Sequence, residues 1–149
     1  MSMSDDLPIE ITLKVRDSCL CLHVQRAARA IARRYDEALR PVGLTNGQFS
    51  LLMSLNRPEP PTISSVSKLL AMDRTTLTAN IKPLERRGLL RVTVDEADRR
   101  SRRLTLTDDG RDILKVALPL WEQAQKDNAT ILEDSAVPEE LLAQLRALS

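Results

Sequence analysis

The chain has 149 residues, of which 42% are hydrophobic and 29% charged, and its formal net charge is +1. This length suits one domain with an aliphatic core, since only three residues are aromatic, and no apolar run approaches the roughly 20 residues that span a bilayer. With a single histidine, two cysteines and no glycine-rich phosphate loop, the sequence predicts no metal site, cofactor or catalytic set, which argues against an enzyme.

The N-terminal part is predicted to be an arm followed by a long helix. Residues 1–17 have weak periodicity and form the arm, and their polar, acidic start is unlike a secretory signal, so we expect a cytoplasmic protein. Over residues 18–40, apolar residues recur at helical spacing until Pro41 and Gly43 end the helix. Cys19 and Cys21 would point about 200° apart on that helix, so we expect no disulfide between them.

Two short helices follow, and a tight turn leads into a third. Thr45 begins the first helix with a glutamine three residues on, which is the capping-box pattern, and Thr62 caps the second. Ala71 and Met72 then turn the chain towards a helix capped by Asp73. This order predicts a helix-turn-helix. The predicted inner side of the second helix comprises Ile63, Val66, Leu69 and Leu70.

The helix after Asp73 has two faces. Leu77, Ile81 and Leu84 fall within roughly a 60° arc, which predicts a buried side. The other face is small, hydrogen-bonding or basic, which suits a helix in a DNA major groove, although a solvated surface helix is the alternative. The candidates for DNA contact on this helix are Arg74, Thr75, Thr76, Thr78, Lys82 and Arg86.

A two-stranded ribbon with a basic tip is predicted next. Gly88 can end the helix because glycine takes the left-handed conformation without strain. Residues 90–94 and 103–107 alternate apolar and polar side chains, as half-buried strands do, and the charged residues 95–100 form a loop. Residues 74–103 hold nine basic and four acidic residues, a local charge of +5. This is the order of a winged helix, and its concentrated charge favours a polyanionic partner.

The C-terminal part is predicted to be helical. Thr107 caps a helix with Asp108 and Asp109 in its first turn, where the helix dipole favours negative charge, and this helix continues to about Leu132. Pro138 begins a last helix with leucines on one side.

The first long helix and the last two have more apolar surface than a winged helix needs for its own core. This surplus predicts a homodimer, with packing inside one domain as the alternative. A two-fold dimer would place two recognition helices roughly 34–36 Å apart, matching a pseudo-palindromic operator. The sequence therefore predicts a mainly α fold with a small antiparallel β-wing. Its parts are an arm (1–17), a winged helix-turn-helix DNA-binding domain (45–107) and a helical dimerisation region (18–44 and 108–149).

The wing and the helices before it carry a specific pattern. The wing is Asp95-Glu96-Ala97-Asp98-Arg99-Arg100-Ser101, followed by Leu104-Thr105-Leu106-Thr107 and Gly110. This resembles the MarR family of winged-helix transcriptional regulators, whose wing carries an Asp-x-Arg pair, here Asp98 and Arg100. Further matches over residues 84–89 and 73–78, with Leu44-Thr45 and Gln48-Phe49, extend the resemblance to roughly residues 18–132.

The resemblance implies an obligate dimer of six-helix chains, with the wing between the fourth and fifth helices. Arg100 would enter the minor groove, and Asp98 would orient the wing arginines through an ion pair. The wing thereby adds Asp98, Arg99, Arg100 and Arg102 to the predicted DNA-binding residues. Family members usually repress neighbouring genes and leave DNA when a small effector binds. Pro83 departs from the pattern and is expected to bend the recognition helix.

The resemblance also implies an effector pocket between the dimerisation helices and the DNA-reading domain. The candidate lining residues are His23, Arg29, Tyr35, Phe49, Met53 and Trp121. Their alternatives are the core for Phe49 and Met53, the core or dimer interface for Trp121, and the surface for His23. By analogy with catabolic members, the effector would be an aromatic acid or an acyl-CoA thioester, with its anionic groups meeting helix arginines.

Cys21 is an alternative trigger. It lies fourteen residues before Tyr35, where the family's organic-peroxide sensors keep a reactive cysteine, although Gln25 replaces a second tyrosine of those sensors. A sensing thiol must be accessible to oxidant, whereas the edge of an apolar stripe also suits an inert thiol. The sequence thus predicts a repressor released by a small molecule, with Cys21 oxidation as the alternative. A winged helix that binds only proteins is a third possibility, and it would show no salt-sensitive DNA binding.

Overall fold

The computed structural model describes residues 7–149, which form seven α-helices, a short 3-10 helix (Arg40–Val42) and one two-stranded sheet. The helices are α1 (Ile9–Ser18), α2 (Leu20–Leu39), α3 (Asn46–Ser54), α4 (Ile63–Leu70), α5 (Arg74–Arg86), α6 (Asp108–Ile131) and α7 (Glu139–Leu148). Strands β1 (Leu90–Val94) and β2 (Arg102–Leu106) pair antiparallel, with Leu90 opposite Leu106 and Val94 opposite Arg102. The mainly helical fold with a small antiparallel wing is confirmed. Among the described residues, every helix is too short or too polar to cross a membrane.

The N-terminal region differs from the sequence prediction. Helix α1 occupies most of the predicted arm, whose residues 1–6 lie outside the described part of the chain. The described residues therefore contain one helix more than the family resemblance implies. Cys19 has extended dihedrals (φ −70°, ψ 110°) and separates α1 from α2. The expectation that Cys19 and Cys21 share one helix was wrong, so the angular argument against a bridge between them does not apply.

The described residues fall into two compact units that divide after Arg34. The first contains α1 and most of α2, and α1 buries none of its side chains. The second, Tyr35–Ser149, contains the wing and an aliphatic core. Its largest fully buried side chains are Leu39, Leu51, Leu52, Val66, Leu77, Leu84, Leu90 and Leu104. The division into arm, dimerisation region and DNA-binding domain stays a prediction.

Capping residues fix where the helices of the second unit begin. The Thr45 hydroxyl accepts from the Gln48 amide at 3.2 Å, and the Gln48 side chain accepts from the Thr45 amide at 3.1 Å, so the predicted capping box forms. The hydroxyls of Thr62 and Thr107 cap α4 and α6 by accepting from the amides of Ser65 and Gly110. Leu69 is an error of the sequence prediction: 65% of it is exposed, because the inner side of α4 runs through Ile63, Val66 and Leu70.

Candidate DNA-binding surface

Helix α5 presents one buried face and one open face. Leu77, Ile81 and Leu84 are at most 5% exposed and anchor the helix in the core, as predicted. The candidates on the opposite side are free to contact a ligand: Arg74, Thr75, Thr76, Lys82 and Arg86 are exposed, and Thr78 is half-buried. Pro83 lies inside the helix, which nevertheless continues to Arg86. The buried face therefore anchors α5 in the core and leaves the opposite face of the helix open.

The first turn of α5 is organised by Asp73. Its carboxylate accepts from the Thr76 amide at 2.8 Å and from the Thr76 hydroxyl at 2.9 Å. These hydrogen bonds, the one from the backbone amide foremost, hold the pKa of Asp73 below its ordinary value. Thr76 is exposed, and because its hydroxyl proton is donated to Asp73, the oxygen lone pairs are available as acceptors. Thr76 is therefore suited to accept a hydrogen bond from a base amino group.

The wing tip carries an almost fully exposed arginine. The Arg100 side chain is 98% exposed, and its Nε lies 3.9 Å from Asp98 Oδ1. The Asp98 carboxylate also accepts from the Arg100 backbone amide at 3.1 Å, which shapes the turn. Arg102 donates instead to the carbonyls of Arg99 and Ser101, and this holds the loop together. A long, exposed ion pair of this kind orients Arg100 weakly and leaves its guanidinium open to a polyanion.

A second ion pair, which the sequence analysis missed, lies where the tip meets the strands. Asp95 is only 8% exposed, and its Oδ1 is 3.2 Å from Arg103 Nε. Arg103 also donates to the Pro60 carbonyl at 2.5 Å. The only sequence signal was an acidic residue at the start of the loop and an arginine in the returning strand.

Arg87 is exposed, but its guanidinium is also hydrogen-bonded within the protein. It donates to the carbonyl of Gly43 at 2.7 Å and to that of Val42 at 3.3 Å, which ties the end of α5 to the turn after α2. Counting charges treats all nine basic residues of positions 74–103 alike. The structure separates Arg87 and Arg103, which hold the fold, from the open cations of α5 and the wing tip.

The effector candidates of the second unit lie in or against its core. Phe49 is buried and stacks on Trp121, with ring centroids 6.2 Å apart and an interplanar angle of 20°. Met53 is half-buried against the same core, and the Tyr35 hydroxyl donates to the Gln125 side chain. These positions match the core alternative for Phe49, Met53 and Trp121.

The candidates of the first unit are exposed. His23 Nδ1 lies 2.7 Å from the Cys19 carbonyl, and Arg29 donates to the Gln25 side chain at 3.4 Å. The Cys21 thiol is exposed, and the Gln25 amide donates to its sulfur at 3.4 Å. Cys19 is half-buried. Access to solvent therefore distinguishes the two thiols.

Comparisons with known proteins agree with this geometry. The model of the MarR family matches residues 44–101. The chain is 32% identical over 128 residues to the organic hydroperoxide resistance transcriptional regulator of Bacillus subtilis, covering 86% of this chain and 82% of that protein. The M. tuberculosis transcriptional regulator MosR, solved in complex with DNA, superposes with a TM-score of 0.78 at 37% identity, covering 88% and 93% of the two chains. Bordetella bronchiseptica BpsR, whose DNA binding is regulated by 6-hydroxynicotinic acid, superposes with a TM-score of 0.71 at 29% identity. The match covers 87% of this chain and 89% of the BpsR chain.

Proposed function

This chain belongs to the MarR family of DNA-binding transcriptional regulators, and from that membership we propose that it is a dimeric, sequence-specific repressor. The observation that carries the proposal is the open, basic and hydroxyl-rich face of α5, followed by an arginine-bearing wing tip. Members of the family are regulators rather than enzymes, so the surface is assigned to recognition and not to catalysis.

The two parts of the surface suit different grooves. The exposed face of α5 offers threonine hydroxyls to base edges and Arg74, Lys82 and Arg86 to phosphates, which is the division of roles seen in major-groove readers. Arg100 extends from a narrow two-stranded ribbon, whose shape fits the minor groove beside it. Asp98, Arg99 and Arg102 shape and charge the tip around it.

Exposed apolar side chains supply the surface for dimerisation. In the first unit they include Ile9, Ile11, Val15, Leu20 and Ile31, and in the second Val116, Leu118, Ile131, Leu132 and Leu148. Residues this large and apolar gain free energy when a second copy covers them. A two-fold dimer reads two half-sites, so we propose a pseudo-palindromic operator, bound in the cytoplasm.

A small molecule is the proposed releasing signal. BpsR shows that an aromatic acid can regulate DNA binding by a relative of this size, and α2 exposes Arg29 and Arg33 to an anionic group. We therefore assign the effector to the class of aromatic acids or acyl-CoA thioesters.

Oxidation of Cys21 is the second candidate signal. Its thiol is exposed to oxidant, and the Gln25 amide donates to its sulfur. The B. subtilis relative is an organic hydroperoxide resistance regulator, which gives this alternative a named precedent.

The proposal is tested with duplexes selected from a random library by the purified protein. We expect a dimer at micromolar concentration whose affinity for the selected duplex falls steeply as the salt concentration rises. The reason is that lysine and arginine side chains release counterions from the DNA phosphates on binding, which becomes less favourable in high salt. A single subunit that binds no duplex in dilute buffer would refute it. Adding phenolic acids, acyl-CoA thioesters or cumene hydroperoxide to the bound complex in separate arms then identifies the class of signal.

A further inference from the structure

The base of the wing loop, where residues 95–101 meet the ends of β1 and β2, is built differently from the loop tip. At the tip, Arg100 and Asp98 face solvent, whereas at the base Asp95 is 8% exposed and Arg103 is half-buried. A nearly buried carboxylate is costly unless its oxygens are satisfied. Asp95 Oδ1 meets this need twice, by pairing with Arg103 Nε at 3.2 Å and accepting from the Ala97 amide at 3.2 Å.

Arg103 joins this carboxylate to a distant part of the chain. Its Nη1 donates to the carbonyl of Pro60, in the proline-containing segment between α3 and α4. Backbone contacts reinforce the link. The Leu104 amide donates to the Pro61 carbonyl at 2.9 Å, and the backbone of Arg103 forms an isolated antiparallel β-bridge with that of Thr62. Thr62 is the N-cap of α4, the first helix of the helix-turn-helix. The base of the wing loop is therefore fastened to the element that precedes the recognition helix.

The side chain of Arg103 makes two contacts, one with the Asp95 carboxylate and one with the Pro60 carbonyl. One guanidinium nitrogen meets Asp95 and another meets Pro60, and the planar fork fixes the angle between these two contacts. Lysine carries the same charge at a single point and has no such fork. An isolated two-stranded ribbon is only marginally ordered in water, so the orientation of this one depends on the contacts that hold the base of its loop.

From these contacts we propose that Asp95 and Arg103 are positioning residues for DNA recognition: they fix the angle at which the wing leaves the helix-turn-helix. That angle determines where Arg100 stands relative to the open face of α5. This inference rests on the proposed DNA-binding function and adds to it that Arg103 acts through Arg100 without contacting DNA itself. Misplacing a rigidly presented contact by about an ångström lowers affinity even when every contacting residue is intact.

A double-mutant cycle tests this role. Operator affinity is measured for the wild type, Arg103→Lys, Arg100→Ala and the double variant. We expect Arg103→Lys to weaken binding roughly tenfold in the wild-type background and by less than about twofold when Arg100 is already absent. Arg91→Lys, a like substitution at an exposed arginine of β1, is the matched control for changing an arginine on the ribbon.

A direct phosphate contact by Arg103 predicts a different pattern, because lysine binds phosphate well as a point charge. Retained affinity in Arg103→Lys, or the same loss with and without Arg100, would overturn the proposal. If Arg103→Lys does not fold, Asp95→Asn carries the same cycle, since its amide oxygen still accepts from the Ala97 amide while the charge pairing is lost. Failure of the wild type to bind any duplex would instead refute the proposed function itself.

Discussion

Gly110, in the first turn of α6, lies directly against the backbone carbonyl of Leu89. A Cβ added at Gly110 would stand 2.1 Å from that oxygen and 2.7 Å from Leu106 Cδ1. The same carbonyl accepts from the Thr107 amide at 3.2 Å, and the Thr107 hydroxyl donates to the Gly88 carbonyl at 2.6 Å. The first turn of α6 thus packs directly against the residues that precede β1. This close approach is possible because residue 110 has no side chain.

Gly110→Ala is expected to destabilise the fold severely. The clash is with backbone atoms, which cannot rotate away, so we expect a loss of about 3 kcal/mol or more in the free energy of unfolding. Urea denaturation followed by circular dichroism measures it. Gly88→Ala is the matched control: its φ of +73° is strained for alanine, but a Cβ there meets nothing within 4 Å, so about 1 kcal/mol is expected. Equal losses would contradict the close approach at Gly110.

Arg100→Ala is expected to weaken operator binding while leaving the fold intact. Its side chain is 98% exposed and makes only a long pair with Asp98, so its removal costs little stability. An arginine inserted in the minor groove is worth roughly tenfold or more in affinity. Fluorescence anisotropy with a labelled duplex measures the change, with Arg146→Ala on α7 as an exposed control. Unchanged affinity would show that Arg100 does not contribute to DNA binding.

Thr78→Ala is expected to relax sequence preference more than it lowers general affinity, because we propose that Thr78 contacts bases rather than phosphates. Competition between the selected operator and random duplex measures this ratio. Thr76→Ala serves as a comparison, since it also removes the hydrogen bond to Asp73 and is expected to lower thermal stability besides. Equal losses on all sequences would argue against base readout by Thr78.

Local signals explain what the sequence predicted well. A capping box such as that of Thr45 and Gln48 involves residues three apart, and the buried face of α5 follows from helical geometry alone. The strands of the wing are likewise encoded by alternation within about five residues each, although Val94 at the end of β1 is 43% exposed and does not follow it. Neighbouring side chains decide these features, so no knowledge of the distant chain is needed.

Distant contacts explain what was missed. Arg103 bonds to a carbonyl 43 residues away and Arg87 to one 44 residues away, and no spacing rule relates such positions. Helix α1 was missed for another reason, since Ile9, Ile11 and Leu13 alternate along the chain and all remain exposed. That spacing is typical of a strand and gives no helical stripe.

Asp73 predicts a defined dependence of stability on pH. The Thr76 amide, followed by the Thr76 hydroxyl, lowers the pKa of Asp73 in the folded protein from its ordinary value of 3.8. A lowered folded pKa means that the ionised carboxylate stabilises the fold above the unfolded pKa, and that this contribution is lost as the pH falls through the folded pKa.

Urea denaturation of the wild type and Asp73→Asn from pH 7 down to pH 3 checks this dependence. We expect a constant difference in the free energy of unfolding above about pH 5, which shrinks below about pH 4. Thr76→Val, which keeps the backbone amide and loses the hydroxyl, is expected to reduce the effect without abolishing it. A difference that does not change with pH would contradict the assigned cap.

The two cysteines are expected to differ in reactivity because they differ in access. Cys21 is exposed, whereas Cys19 is half-buried and its sulfur accepts from the Leu22 amide at 3.5 Å. An alkylating reagent or cumene hydroperoxide should therefore modify Cys21 first. Mass spectrometry of the single variants Cys19→Ser and Cys21→Ser, sampled over time at one pH, measures the two rates. Faster modification of Cys19 would contradict this order and would remove the observation that favours Cys21 as a sensor.

If oxidation is the signal, peroxide must release operator DNA from Cys19→Ser but not from Cys21→Ser, while release by a small-molecule effector is retained in both variants.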